Sequence, residues 1–237
     1  MINKNDLFPV VILAGGLATR LHPLTTTIPK SLIPIHGEPF IAHQLRLLQQ
    51  NGIQKIIMCI GHLGEQIIDK IGDGNQFGLQ ISYIKDGAQL LGTAGAIKQA
   101  LPHLPDNFFV LYGDSYLSCH YATIQNAFLN GRKHALMTIF KNQGQWDSSN
   151  VEFKYGQILQ YDKKNKTSRM HHIDYGLGIF NKQAFNFIPD NMEYDLALIY
   201  QTLVVQQELA AFEVTERFYE IGSLAGITEL EAHIAKV

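Results

Sequence analysis

Arg20 and Lys30 stand ten residues apart behind an apolar run that breaks into two glycines. That grouping is what binding a polyphosphate needs. Val10, Val11, Ile12 and Leu13 read as a buried strand, and Ala14, Gly15 and Gly16 follow with little or no side chain. Backbone there can approach a ligand closely and turn N–H groups toward phosphate oxygens. Arg20 offers a planar fork for phosphate and Lys30 a compact ammonium. The spacing matches neither the G-x-G-x-x-G of dinucleotide-binding loops nor the glycine-lysine-serine/threonine ending of a phosphate-loop NTPase. Asp114, in Tyr112-Gly113-Asp114, follows a buried strand, and Glu220, in Glu220-Ile221-Gly222-Ser223, stands at a second apparent strand end. Two carboxylates at one rim suit a magnesium ion, which commonly takes one or two carboxylates together with substrate phosphates. The histidines show no H-E-x-x-H spacing, and neither Cys59 nor Cys119 has zinc-ligand spacing, so metal ligation by imidazole or thiolate is not expected.

These residues need a scaffold that brings strand ends to one edge. Pro39 to Gln50 is amphipathic and stops before Asn51-Gly52, as a helix with a glycine stop does. Lys55 to Ile60 reads as a buried strand, Leu63 to Ile71 as a helix, Leu79 to Ile84 as a strand, Ala94 to Leu101 as a helix and Phe108 to Leu111 as a strand. Alternating strands and helices call for a mainly parallel sheet covered by helices, with ligands beyond the carboxyl ends of the strands. From Ala135 onward short strands are expected at Ala135 to Phe140, Val151 to Tyr155, Ile158 to Tyr161 and Gly176 to Phe180. This second half is read as antiparallel strands fused to the same sheet. Helices over Asp195 to Gln206 and Ser223 to Lys236 close the chain. The expectation is an α/β fold in one domain over residues 1–237, with a nucleotide-binding half to about residue 134 and a sugar-binding half from about residue 135.

The glycine segment resembles the signature of the sugar-phosphate nucleotidylyltransferases, L-x-G-G-x-G-T-R-L-x-P-L-T followed by P-K-x-L-x-P. Leu13, Gly15, Gly16, Thr19, Arg20, Leu21, Pro23, Leu24 and Thr25 match it, then Pro29, Lys30, Leu32 and Pro34. Ala18 stands where the signature usually has glycine. The resemblance implies a Rossmann-like, mainly parallel sheet of the nucleotide-diphospho-sugar transferase type with an antiparallel sugar-binding lobe. It implies that Leu13, Ala14, Gly15, Gly16, Thr19 and Arg20 bind nucleotide, and that Arg20, Lys30 and Asp114 serve catalysis. It also implies that the backbone at Gly92, in Leu91-Gly92-Thr93-Ala94-Gly95, contacts the base, and that Asp114 and Glu220 hold Mg²⁺. Glu220 replaces the family's usual aspartate, a longer side chain with altered reach. Asp162-Lys163 resembles the family's glutamate-lysine pair, in which lysine holds the sugar phosphate and the acid a sugar hydroxyl. Glu152 and Gly176, the latter in D-Y-G-L-G-I-F, are placed with that sugar-phosphate site.

The reaction so implied joins a nucleoside triphosphate to a sugar 1-phosphate and releases pyrophosphate. The phosphate nucleophile has a second pKa of about 6 and needs no general base near neutral pH. The barrier is repulsion between two anions, which positioned cations and N–H groups lower. Among short family members the chain looks most like guanylyltransferases acting on heptose or mannose 1-phosphate, whose products feed lipopolysaccharide or capsule. HLGEQIIDKIGDGNQFGL also resembles uridylyltransferases acting on N-acetylmuramate 1-phosphate, so uridylyl or thymidylyl transfer is the alternative. A catalytically silent nucleotide-sugar sensor is the alternative of another class. No hexapeptide-repeat tail follows, so acetyl transfer is not expected.

Composition fits this reading. Hydrophobic residues make up 46% and charged residues 17% of the 237, with a formal net charge of -2. That balance gives no electrostatic case for a nucleic-acid partner. No apolar stretch reaches the roughly eighteen residues of a membrane span. Met1 to Phe8 is polar and unlike a secretory signal. A cytoplasmic location is expected, and the sequence leaves the oligomeric state open.

Overall fold

The computed structural model describes residues 7–87, 89–190 and 192–236. Its strands, in chain order, are β1 (Val10–Ala14), β2 (Pro34–Ile35), β3 (Glu38–Pro39), β4 (Lys55–Ile60), β5 (Gln80–Lys85), β6 (Asn107–Tyr112), β7 (Ser115–Tyr116), β8 (Ala135–Phe140), β9 (Val151–Lys154), β10 (Gln157–Tyr161), β11 (Ile173–Asn181), β12 (Leu209–Val214) and β13 (Tyr219–Glu220). The helices are α1 (Phe40–Gln50), α2 (Gly64–Ile71), α3 (Gly92–Ala100), α4 (Tyr121–Gly131), α5 (Leu196–Val205) and α6 (Leu224–Ile234).

Seven strands form one sheet in the order β12-β8-β11-β6-β1-β4-β5. β1 pairs in parallel with β4 on one side and β6 on the other, and β4 pairs in parallel with β5. The chain therefore builds outward from β1, then crosses back to its other side. That reversal is the switch point at which open α/β sheets leave a crevice beyond their strand ends. The continuous apolar runs of β1, β4 and β6 follow from burial on both faces. Val10 and Ile12 pack with Ile41, Leu45, Ile67 and Ile124 from α1, α2 and α4. Val11 points the other way, among Ile97 of α3 and Leu196, Tyr200 and Leu203 of α5.

The sheet continues across the expected boundary near residue 134. β11 runs antiparallel to both β6 and β8, while β12 pairs in parallel with β8. Among the described residues, antiparallel pairing in the second half involves β11 with β6 and β8, the β9–β10 hairpin, the short β7–β13 pair and an isolated bridge between Val151 and His172. β8 thus pairs antiparallel with β11 as expected, while β12 lies outside the expected elements; it pairs with a strand about seventy residues away in sequence, which leaves no local sign of direction. α4 was also outside the expected elements. Its buried face, Tyr121, Ile124 and Phe128, has helical spacing, but Thr123, Asn126 and Asn130 dilute the local propensity. Among the described residues no helix is long and apolar enough to cross a membrane.

Candidate active site

A cavity of about 460 Å³ opens beyond the carboxyl ends of β1, β4 and β6, bordered by Leu13 to Thr19, Lys30, Asp86, Gly92, Tyr112 and Asp114. Close backbone packing makes this rim. Gly113 N donates to Leu13 O at 3.0 Å, and a Cβ on Gly113 would lie 2.6 Å from that oxygen. Only glycine lets the two strand ends meet there. A Cβ on Gly15 would likewise lie 3.1 Å from Gly61 N.

The loop after β1 is fixed by Thr25, whose buried hydroxyl donates to Ala18 O at 2.9 Å. Ala18 itself is left-handed, with φ +52°. An alanine pays about 1–2 kcal/mol for that conformation and glycine almost nothing. The position where the family signature prefers glycine is therefore one whose backbone demands it, and alanine keeps the same geometry at a strain cost.

Lys30 begins a short 3-10 turn and donates to Asp114 Oδ2 at 2.9 Å, with both side chains partly buried. Asp114 lies between β6 and β7, held by bonds to its neighbours. Gln44, buried on α1, donates through Nε2 to both Tyr112 O at 3.1 Å and Ser115 O at 2.6 Å. From the other side Ile221 N donates to Asp114 O at 3.0 Å, because β13 pairs with β7 and sets Glu220 opposite Ser115.

The Glu220 carboxyl accepts from Gly222 N and from Ser223 Oγ. Burial raises its pKa first and the neighbouring Asp114 carboxylate raises it further, against the pull of Gly222, Ser223 and Lys30. Two carboxylates that repel one another are a donor set a divalent cation would neutralise. Among the described residues no cluster of three or more histidine, cysteine or carboxylate side chains could hold a metal by itself. Substrate phosphates would have to complete the shell. Arg20 reaches the same turn from the glycine loop. A Cβ on Gly222 would sit 3.2 Å from its Nη2, close also to Glu220 Oε2.

The turn leading into α3 is clamped by the segment before α5. Gly92 has φ +68°, and a Cβ there would lie 2.7 Å from Tyr194 O. Ala94 N donates to that oxygen at 2.8 Å, and Tyr194 N donates to Leu91 O at 2.9 Å. Thr93 Oγ1 accepts from Leu196 N at 2.7 Å and bonds Asp195 Oδ1 at 3.2 Å.

The second-half candidates divide. Lys163 turns from its exposed loop onto Tyr112, with Nζ 3.3 Å from the hydroxyl and 4.9 Å from the ring centroid. Gly176, at φ +100°, backs onto the Asp114 turn, where a Cβ would lie 3.2 Å from Ser115 Oγ. Glu152 instead binds Arg169 Nε with both oxygens at 2.9 Å. Asp162 accepts from the backbone of Asn165 and Lys164 in its own turn, bonds that lower its pKa. The structure thus gathers the glycine loop, Arg20, Lys30, Gly92, Asp114, Gly176 and Glu220 around one rim, joins Lys163 to it through Tyr112, and leaves the Glu152 and Asp162 carboxylates engaged with local partners.

Three residues of the rim escaped sequence reading. Asp86 stands in the cavity wall directly after β5, with Oδ2 3.5 Å from where a Gly15 Cβ would be. Burial raises its pKa, opposed by a weak bond from Leu91 N. Its signal was the one that identified Asp114, a carboxylate directly after an apolar strand. Tyr112 and Gln44 gave no such signal, since a strand tyrosine and a helix glutamine are ordinary core-edge residues.

A model of the family described as nucleotidyl transferase matches residues 9–236. A UTP–glucose-1-phosphate uridylyltransferase of Synechocystis sp. is 35% identical over 204 residues, which cover 78% of this chain and 52% of that protein. The chain thus spans about half the length of that relative. An N-acetylmuramate alpha-1-phosphate uridylyltransferase of Neisseria meningitidis serogroup B is 27% identical over 226 residues, covering 94% of this chain and 96% of that one. The crystal structure of HddC from Yersinia pseudotuberculosis complexed with GMP-PN shares the fold, with a TM-score of 0.80 and 23% identity over 96% of this chain and 100% of that one.

Proposed function

Because the chain belongs to the nucleotidyl transferase family, we propose that it transfers a nucleotidyl group from a nucleoside triphosphate to a sugar 1-phosphate, releasing pyrophosphate and leaving a nucleotide-sugar. The observation that carries this reading is the convergence of the glycine loop, Lys30 and Asp114 on one cavity at the sheet's switch point. In the proposed reaction an oxygen of the sugar phosphate attacks the α-phosphorus and the bond to the pyrophosphate oxygen breaks. The nucleophile arrives ionised, so the protein's task is alignment and charge neutralisation. The glycine-loop amides and Arg20 would receive the triphosphate, Lys30 the phosphate undergoing transfer, and Lys163 the sugar phosphate. Asp114 and Glu220 would hold Mg²⁺, which when bound supplies positive charge to phosphate oxygens.

For the base we propose guanine. Its Watson–Crick edge carries two donors, N1–H and the amino group, and the Asp86 carboxylate in the cavity wall can accept from both. Uracil and thymine offer one donor flanked by carbonyls, which a carboxylate repels. Heptose or mannose 1-phosphate is the proposed sugar substrate, and the product would serve as a precursor of lipopolysaccharide or capsule. The N-acetylmuramate relative, with its nearly full mutual coverage, favours a uridylyl reading as the alternative. Pyrophosphate release from GTP, UTP, dTTP, CTP and ATP, each with several sugar 1-phosphates, separates the two.

A further inference from the structure

Lys163 lies in a charged turn with Lys164 and Lys166, yet its ammonium has a partner inside the rim. Nζ lies 3.3 Å from the Tyr112 hydroxyl and 4.9 Å from the centre of its ring, so one phenol offers both an oxygen and a π face. Tyr112 is itself fixed. It ends β6 in register with Leu13 of β1, and its carbonyl accepts from buried Gln44. Its side chain lines the cavity one residue before Gly113-Asp114. A lysine has many rotamers to lose and, left alone on an exposed turn, would spend its time in solvent. Asp174 and Asp195 supply negative potential on the same side.

We infer that Tyr112 is a positioning residue, which seats the Lys163 ammonium against the rim and so fixes the sugar-phosphate position relative to Asp114. The inference rests on the reading of Lys163 as the sugar-phosphate ligand and goes beyond it by naming what aims that lysine. Tyrosine here has a use that a strand-end leucine or phenylalanine lacks, since only the phenol supplies an acceptor.

A double-mutant cycle on the full chain tests it, with Tyr112→Phe, Lys163→Ala and the pair, using the nucleotide and sugar 1-phosphate that give the highest turnover. Tyr112→Phe keeps the ring and removes the acceptor. It should raise KM for sugar 1-phosphate about 2- to 12-fold, the scale of one hydrogen bond, with kcat and the nucleotide KM changed less than twofold. In the Lys163→Ala background the same change should have no effect beyond twofold. Tyr112→Leu, which removes the π face as well, should raise that KM further, again only while Lys163 is present. An effect of Tyr112→Phe that survives intact without Lys163 would overturn the inference while leaving the lysine's role standing. If Lys163→Ala leaves the sugar 1-phosphate KM as it was, or Lys164→Ala and Lys166→Ala raise it equally, the underlying reading of Lys163 fails and the inference falls with it.

Discussion

Lys30 Nζ lies 2.9 Å from Asp114 Oδ2, an ion pair between residues 84 positions apart that joins the glycine segment to the turn after β6. The lysine occupies the charge-compensating place that a divalent cation would share. Asp114→Asn should therefore raise the Mg²⁺ concentration needed for half-maximal rate, and EDTA should abolish activity that added Mg²⁺ restores. Full activity in excess EDTA would remove the metal from the account.

Glu220 gives a pH dependence of known sign. Burial and Asp114 raise its folded pKa above the ordinary 4.5. Between that value and the raised one the folded state binds more protons than the unfolded state, so this group's contribution to stability falls as pH rises. Glu220→Gln removes the contribution and keeps an oxygen for Gly222 N. In EDTA, the variant's thermal midpoint relative to the native protein should climb as pH rises through that window. A difference that stays flat, or declines, would show that the carboxyl is not held above its ordinary range.

Arg20 reaches from the glycine loop to the Glu220–Gly222 turn and forms no ion pair among the described residues. If it stabilises the transferring phosphates, Arg20→Ala should lower turnover by roughly two to three orders of magnitude while circular dichroism stays native. Unchanged turnover at saturating substrates would take Arg20 out of the mechanism.

Asp86 is the proposed reader of the base. Asp86→Asn replaces one acceptor oxygen with a donor, so the ratio of kcat/KM for GTP over UTP should fall about 10- to 150-fold, the scale of a charge-assisted hydrogen bond. A ratio that does not move would mean that backbone alone selects the base.

The first half of this fold was legible because its information is local. Val10 to Leu13 carries the burial of β1 in its own composition, and Gly15, Arg20 and Lys30 mark the segment that borders the cavity by type and spacing. What sequence could not give was long-range pairing. The parallel partnership of β12 with β8 depends on strands from distant segments, and the same holds for the β13–β7 pair that brings Glu220 to Asp114. Direction is illegible for the same reason. Lys163, Lys164 and Lys166 are equivalent in a charged run, and only the folded turn aims the first at Tyr112. Ala18 shows the converse, since its left-handed backbone explains why the signature prefers glycine at that position.

The central claim is nucleotidyl transfer to a sugar phosphate, and pyrophosphate release measures it directly. With Mg²⁺ and equimolar nucleotides offered separately, GTP together with a heptose or mannose 1-phosphate should release one pyrophosphate for each nucleotide-sugar formed, faster than any other pairing. Fastest release with UTP or dTTP would retain the reaction and overturn the guanine assignment. Binding of nucleotide without pyrophosphate release from any pairing would contradict the account itself and mark the chain as a silent nucleotide-sugar sensor.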